Sequence, residues 1–135
     1  MAILIKANGQ VSDITDISYE GIKNAIDGWL ENVAFPFKGC KGLVGYVDEE
    51  GKLKQKPINI KATHLWQKAY NQPLNDFLVG DVLICGDDEN GNEIPLTPSQ
   101  KTFLLNEINN FDFNDMLQIT KSIAKCISGE YSTGS

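Results

Sequence analysis

Apolar residues recur along this chain in two periods, and the places where one gives way to the other mark its predicted elements. Residues 2–7 are a short run of strand formers, and Asn8-Gly9 behind them is the dipeptide best suited to a type I′ hairpin turn. Residues 11–14 are therefore predicted to return as a partner strand. Ser18 caps a predicted helix that carries Tyr19, Ile22, Ala25 and Ile26 on one face, with Gly28 placed to end it in left-handed geometry. Over residues 29–35 the pattern switches to alternation. Trp29, Glu31, Val33 and Phe35 oppose Leu30, Asn32 and Ala34 in a half-buried strand that Pro36 and Gly39 terminate. A second strand is expected at residues 43–47, followed by a turn, Asp48-Glu49-Glu50-Gly51, whose acids are expected to face water.

Residues 59–70 hold the clearest helical stripe. Ala62, Leu65, Trp66 and Ala69 fall on one face, Lys61, His64 and Lys68 on another, and Asn59 after Pro57 is the predicted N-cap. A polar loop at residues 71–76 leads to a strand at 77–85, interrupted at Gly80-Asp81 as a bend or bulge would interrupt it. Asn90-Gly91 reads as the turn of a hairpin between residues 82–85 and 93–96. Thr97-Pro98-Ser99-Gln100 is a capping box with proline at the first helical position, and Phe103, Leu104, Ile108 and Phe111 supply that helix's apolar face. Asp112 or Asn114 caps a last helix with Met116, Thr120, Ile123 and Ile127 in line, ending at Ser128-Gly129. Residues 130–135 are expected to be disordered. The fold class predicted is α+β: a mainly antiparallel sheet with helices on one face and a C-terminal helical hairpin. One domain spans residues 1–135, with a core over about 1–96 and a helical extension over 97–129.

Charge narrows the function. The net charge is −6 with a pI near 4.7, which argues against a long nucleic acid as partner. All 12 cations are lysine, so the bidentate arginine fork that reads guanine edges and phosphates is absent. Cys40, Cys85 and Cys126 are far apart and form no C-x-x-C pair, which points away from disulfides and zinc and towards a reducing cytosol. With no apolar run of about 18 residues and no signal peptide, a membrane is not an expected partner either.

No catalytic pattern emerges. Cys40 and His64 lack a local signature and a third orienting residue, Gly39, Gly42 and Gly45 fit no nucleotide fingerprint, and the acid-rich stretch 87–93 lacks the spacing of a calcium loop. A non-catalytic protein without metal or cofactor is expected. The feature left over is the basic face of Lys61, His64 and Lys68 beside a helix start whose N–H groups and dipole attract anions. With Asn59, Thr63 and a wall supplied by Trp66 or Trp29, these residues predict a site that sequesters a small, nucleotide-like anion. A domain this small encloses a ligand best at a subunit boundary, so a homo-oligomer is expected. The alternative is a protein-binding inhibitor or adaptor acting through the acidic turn 87–93 and the C-terminal helices.

Several boxes together resemble a known family. Gly28-Trp29-Leu30-Glu31, Gly42-Leu43, the run 47–53, Pro57-Ile58-Asn59-x-x-Ala62-Thr63-x-Leu65-Trp66, and Val79-Gly80-Asp81-Val82 up to Gly86 are similar to the domain-of-unknown-function family numbered 3846. The similarity covers about residues 1–90 and leaves out the helices after Thr97. It implies a small protein of phages, plasmids or bacteria, and hence the cytoplasm of a bacterial host. It carries no activity across. A phage setting implies counter-defence, by sequestering a nucleotide-derived signal or capping a host protein.

Overall fold

The computed structural model describes residues 1–72 and 74–129. Its elements in chain order are β1 (Ala2–Ile5), β2 (Val11–Ile14), α1 (Tyr19–Ile26), β3 (Leu30–Ala34), β4 (Leu43–Asp48), α2 (Ile60–Tyr70), β5 (Val82–Asp87), β6 (Glu93–Ile94), α3 (Pro98–Asn109) and α4 (Phe113–Ser128). The strands form one six-stranded antiparallel sheet in the order β2-β1-β5-β4-β3, and β6 pairs with the end of β5. The fold is α+β. No helix among the described residues is long and apolar enough to cross a membrane.

Alternation along the central strands explains the layering. Ile3, Ile5, Val82, Ile84, Val33 and Val47 belong to one buried cluster with Ala62, Leu65 and Ala69 of α2 and Leu104 and Ile108 of α3. Ala2, Leu4, Leu83, Cys85 and Tyr46 form a second cluster with Ile22 and Ile26 of α1. The central strands are thus apolar on both sides, and helices cover both. The expectation of helices on one face is corrected at α1, which lies alone on the opposite face from α2 and α3. Both C-terminal helices pack on α2.

Local signals were reliable where the chemistry is local. Ser18, Asn59, Thr97 and Asp112 all cap their helices, the last two in capping boxes. The first hairpin forms, but with a different turn. Lys6 and Gln10 bond across it, the Gly9 N–H reaches Lys6, and Gly9 alone has a positive φ, 94°; a type I′ turn would need one at Asn8 too. Asp27, at φ 55°, supplies the left-handed cap expected of Gly28. Trp29 lies outside β3 and is 52% exposed, with the Lys23 ammonium 3.9 Å from its ring centre. The strand expected at residues 77–85 begins only after its Gly80 break, where φ is 71°.

Two readings fail for tertiary reasons. The buried stripe of α4 runs through Ile119 and Ile123; Met116, Thr120 and Ile127 are exposed. Asp48, expected to face water, has a fully buried side chain that ion-pairs with Lys54 and Lys56, each at 2.9 Å. Gly28 makes room for it, since a Cβ there would overlap the carboxylate. Lys56 also donates to the carbonyls of Ile26 and Asp27, at 3.1 and 2.7 Å, and so ties the 48–56 loop to the end of α1. The expectation of a disordered tail falls on residues 130–135, outside the described residues.

Candidate functional site

The start of α2 is fixed from within. Asn59 is fully buried: its Nδ2 donates to the carbonyls of Ile5 and Gly80 at 2.8 and 2.9 Å, and its Oδ1 accepts the Ala62 N–H at 3.0 Å. Thr63, equally buried, donates its hydroxyl to the Asn59 carbonyl at 2.7 Å and accepts the Leu78 N–H at 3.0 Å. One helical turn is thereby stitched to β1 and to the segment before β5. These bonds consume the polar atoms of both side chains, so Asn59 and Thr63 act as framework.

The six residues expected to form one site divide among separate places. Lys61 turns back to the first hairpin and donates to the Gly9 carbonyl at 2.8 Å. Trp66 lines a cavity beside β3, stacked edge-on against Tyr70 with ring centres 6.3 Å apart, and its indole N–H is buried without an acceptor among the described residues. His64 and Lys68 share a third location, a cleft of about 500 Å³ between α2 and α4. Trp29 joins none of these cavities.

That cleft has a distinct chemistry. Lys121 and Lys125, one turn apart on α4, face His64 and Lys68 across it, with Gln67, Asn71, Gln72 and Gln118 between them. Among the described residues no carboxylate lines it. The helices are joined inside it by Gln67, whose Nε2 donates to Ser122 Oγ at 3.1 Å. At its margin, Lys68 lies 2.7 Å from Glu107 and His64 lies 3.6 Å from Asp115. Burial lowers the His64 pKa below its ordinary 6.5, against the pull of the Asp115 charge in the other direction. Among the described residues, neither Lys121 nor Lys125 has a carboxylate within salt-bridge distance, 4.0 Å. Sequence reasoning missed both lysines. Their four-residue spacing was visible, but nothing local shows that α4 lies against α2.

Two acids of the 87–93 stretch are engaged internally. Asp88 closes the 88–92 turn by accepting the Asn90 and Asn92 N–H groups, both at 2.8 Å, and Glu93 accepts the Tyr46 hydroxyl at 2.6 Å. Burial pushes the Cys85 thiol up to about 12. Among the described residues, no three His, Cys, Asp or Glu side chains gather where they could hold a metal ion.

A family model described as Domain of unknown function (DUF3846) matches residues 1–109. The chain belongs to that family. No curated protein and no solved structure matches it. The DUF3846 match runs to the last residue of α3, beyond the span of about 1–90 read from sequence boxes, and it takes in the first of the helices thought to lie outside. Asn59, Ala62 and Thr63, the box within the DUF3846 region, are three fully buried residues at the start of α2. The box therefore marks a structural joint. Helix α4 lies beyond the match, so the cleft takes one wall from the DUF3846 region and the other from the residues after it.

Proposed function

We propose that this protein binds a small anion, nucleotide-like in its phosphates, in the cleft between α2 and α4, and that it does so without catalysis. One observation supports this above the others: four basic side chains surround a cavity that has no acidic lining among the described residues, in a chain whose net charge is −6. Gathering cations costs repulsion that an anionic occupant would relieve. Lys121 and Lys125, without an ion-pair partner among the described residues, supply charge, and Lys68 and His64 exchange Glu107 and Asp115 for the ligand. The Gln118 amide and the Gln67 side-chain carbonyl offer hydrogen bonds to a base or sugar. Sequestration is the mechanism, and the phage and plasmid setting implied by the family resemblance gives it a use in counter-defence.

Thermal shift with a panel of mono-, di- and cyclic nucleotides and inorganic pyrophosphate tests the proposal. A stabilisation by at least one of them that vanishes in the double variant Lys121→Ala, Lys125→Ala supports it. No shift from any member opposes it.

A second reading has its own observation. Phe113, Met116, Leu117 and Ile127 are exposed along one side of α4, Phe113 by 72% and Ile127 by 65%. Such an apolar stripe favours a protein partner docked on α4. The acidic turn contributes less to that reading, since Asp88 and Glu93 are engaged internally. Capture of a host protein that is lost in Leu117→Glu and kept in the double lysine variant would favour this reading.

A further inference from the structure

A second cavity, separate from the cleft between α2 and α4, runs beside β3 with a volume of about 460 Å³. Four consecutive residues, Glu31, Asn32, Val33 and Ala34, line it. Neighbouring side chains on a strand point to opposite faces, so a cavity touching all four reaches the strand's edge, while Val47 and Asp48 of β4 extend its floor under the face that α2 covers. Trp66 and Tyr70 of α2 and residues 76–79 form its far wall.

The edge is open. Among the described residues, β3 pairs with β4 alone. The Trp29 carbonyl accepts the Glu49 N–H at 2.8 Å, which makes this pair a hydrogen-bonded position of the ladder. Such positions alternate in antiparallel sheets, so Glu31 and Val33 direct their backbone groups to Val47 and Gly45. Asn32 and Ala34 consequently turn their N–H and C=O groups outward, along the cavity. Unpaired groups at two-residue spacing are the template on which another strand adds.

Wall chemistry selects the occupant. Glu31 and Glu49 bring carboxylates to the cavity that have no ion-pair partner among the described residues, whereas Asp76 is paired with Lys52 and Asp48 with Lys54 and Lys56. The cavity's one lysine shows what such a place holds: the Lys52 ammonium lies 4.6 Å from the Phe77 ring centre and is ion-paired with Asp76. We propose that the edge of β3 docks an extended, basic segment of a partner polypeptide. The segment pairs with Asn32 and Ala34 as an added strand and sets a Lys or Arg side chain among Glu31, Trp66 and Tyr70. This site is independent of the anion cleft, and neither reading requires the other.

The test is an amide NMR titration of the full chain with a blocked hexapeptide of alternating lysine and valine. Shifts are expected in residues 29–34 and 76–79, with none from the glutamate–valine counterpart. Ala34→Pro removes an outward N–H and no bond to β4, and is expected to weaken binding roughly tenfold, the effect of a lost main-chain hydrogen bond at the upper end of its range. Glu31→Lys, at an exposed position, is expected to weaken it by charge alone. Shifts confined to other regions would overturn the proposal. So would peptide affinity unchanged by Ala34→Pro, or an equal response to the acidic peptide.

Discussion

Nε2 of His64 in α2 stands 3.6 Å from Oδ1 of Asp115 in α4, with the Phe111 ring edge-on to the imidazole at 4.8 Å between ring centres. Burial lowers the His64 pKa, while Asp115 raises it and Lys68 lowers it. Replacing Asp115 by Asn removes an opposing charge, so His64 is expected to titrate lower still. Because the folded pKa lies below 6.5, this residue's contribution to stability is complete above that pH and is lost as pH falls towards the folded value. Imidazole NMR of the parent and of Asp115→Asn checks this; superimposable titrations would contradict it.

Asn59 joins the helix start to two carbonyls of the sheet side. Asn59→Ala is expected to cost about 3 kcal/mol or more, because it removes an N-cap and leaves buried carbonyls unpaired. Urea unfolding measures this, and a cost below about 1 kcal/mol would mean that the joint is dispensable.

Asp48 governs the acid limb of stability. Burial would raise its pKa, but hydrogen bonds from Lys54, Lys56 and the Glu50 amide outweigh burial and hold it at about 2, below the usual 3.8. The corresponding stabilisation, about 2 kcal/mol, is complete above the unfolded value and disappears as pH falls through about 2. Asp48→Asn should therefore be less stable than the parent at pH 7, with the gap closing in acid. Gly28→Ala, which crowds the same carboxylate, is expected to destabilise by about 1–3 kcal/mol. A parallel pH profile for parent and Asp48→Asn would contradict this account.

The register of α4 has a simple check. Ile119 is buried and Leu117 is exposed, so Ile119→Ala is expected to cost about 3 kcal/mol and Leu117→Ala less than about 1. Calorimetry of the two variants decides it, and the reverse order would contradict this register.

Legibility followed the range of each interaction. The four N-caps and the hairpin at Asn90-Gly91 were readable because their partners lie within a few residues. Asp48 was not, since Gly28, Lys54 and Lys56 meet it only in the folded chain. On α4, both the stripe read from sequence, Met116-Thr120-Ile123-Ile127, and the observed Ile119-Ile123 side have helical spacing; Ile123 is common to both, and contact with α2 chooses between the rest. His64 and Lys68 were visible as a basic pair. Lys121 and Lys125 were equally visible as residues, but their place opposite that pair depends on helix packing. In sequence Asn59 and Thr63 read equally well as ligand contacts or as caps, because polar residues at a helix start serve either purpose.

The central claim concerns that meeting of three lysines and a histidine, and His64 is the natural reporter because it is the chain's one histidine. Its NMR titration with and without saturating pyrophosphate is the most direct measurement. An anion seated in the cleft favours the charged imidazole, so the His64 pKa is expected to rise on binding, and affinity to tighten as pH falls from about 8 to 6. Lys121→Ala with Lys125→Ala should abolish that rise while leaving the ligand-free curve nearly unchanged. Identical curves with and without pyrophosphate, and with each nucleotide of the panel in its place, would contradict the claim.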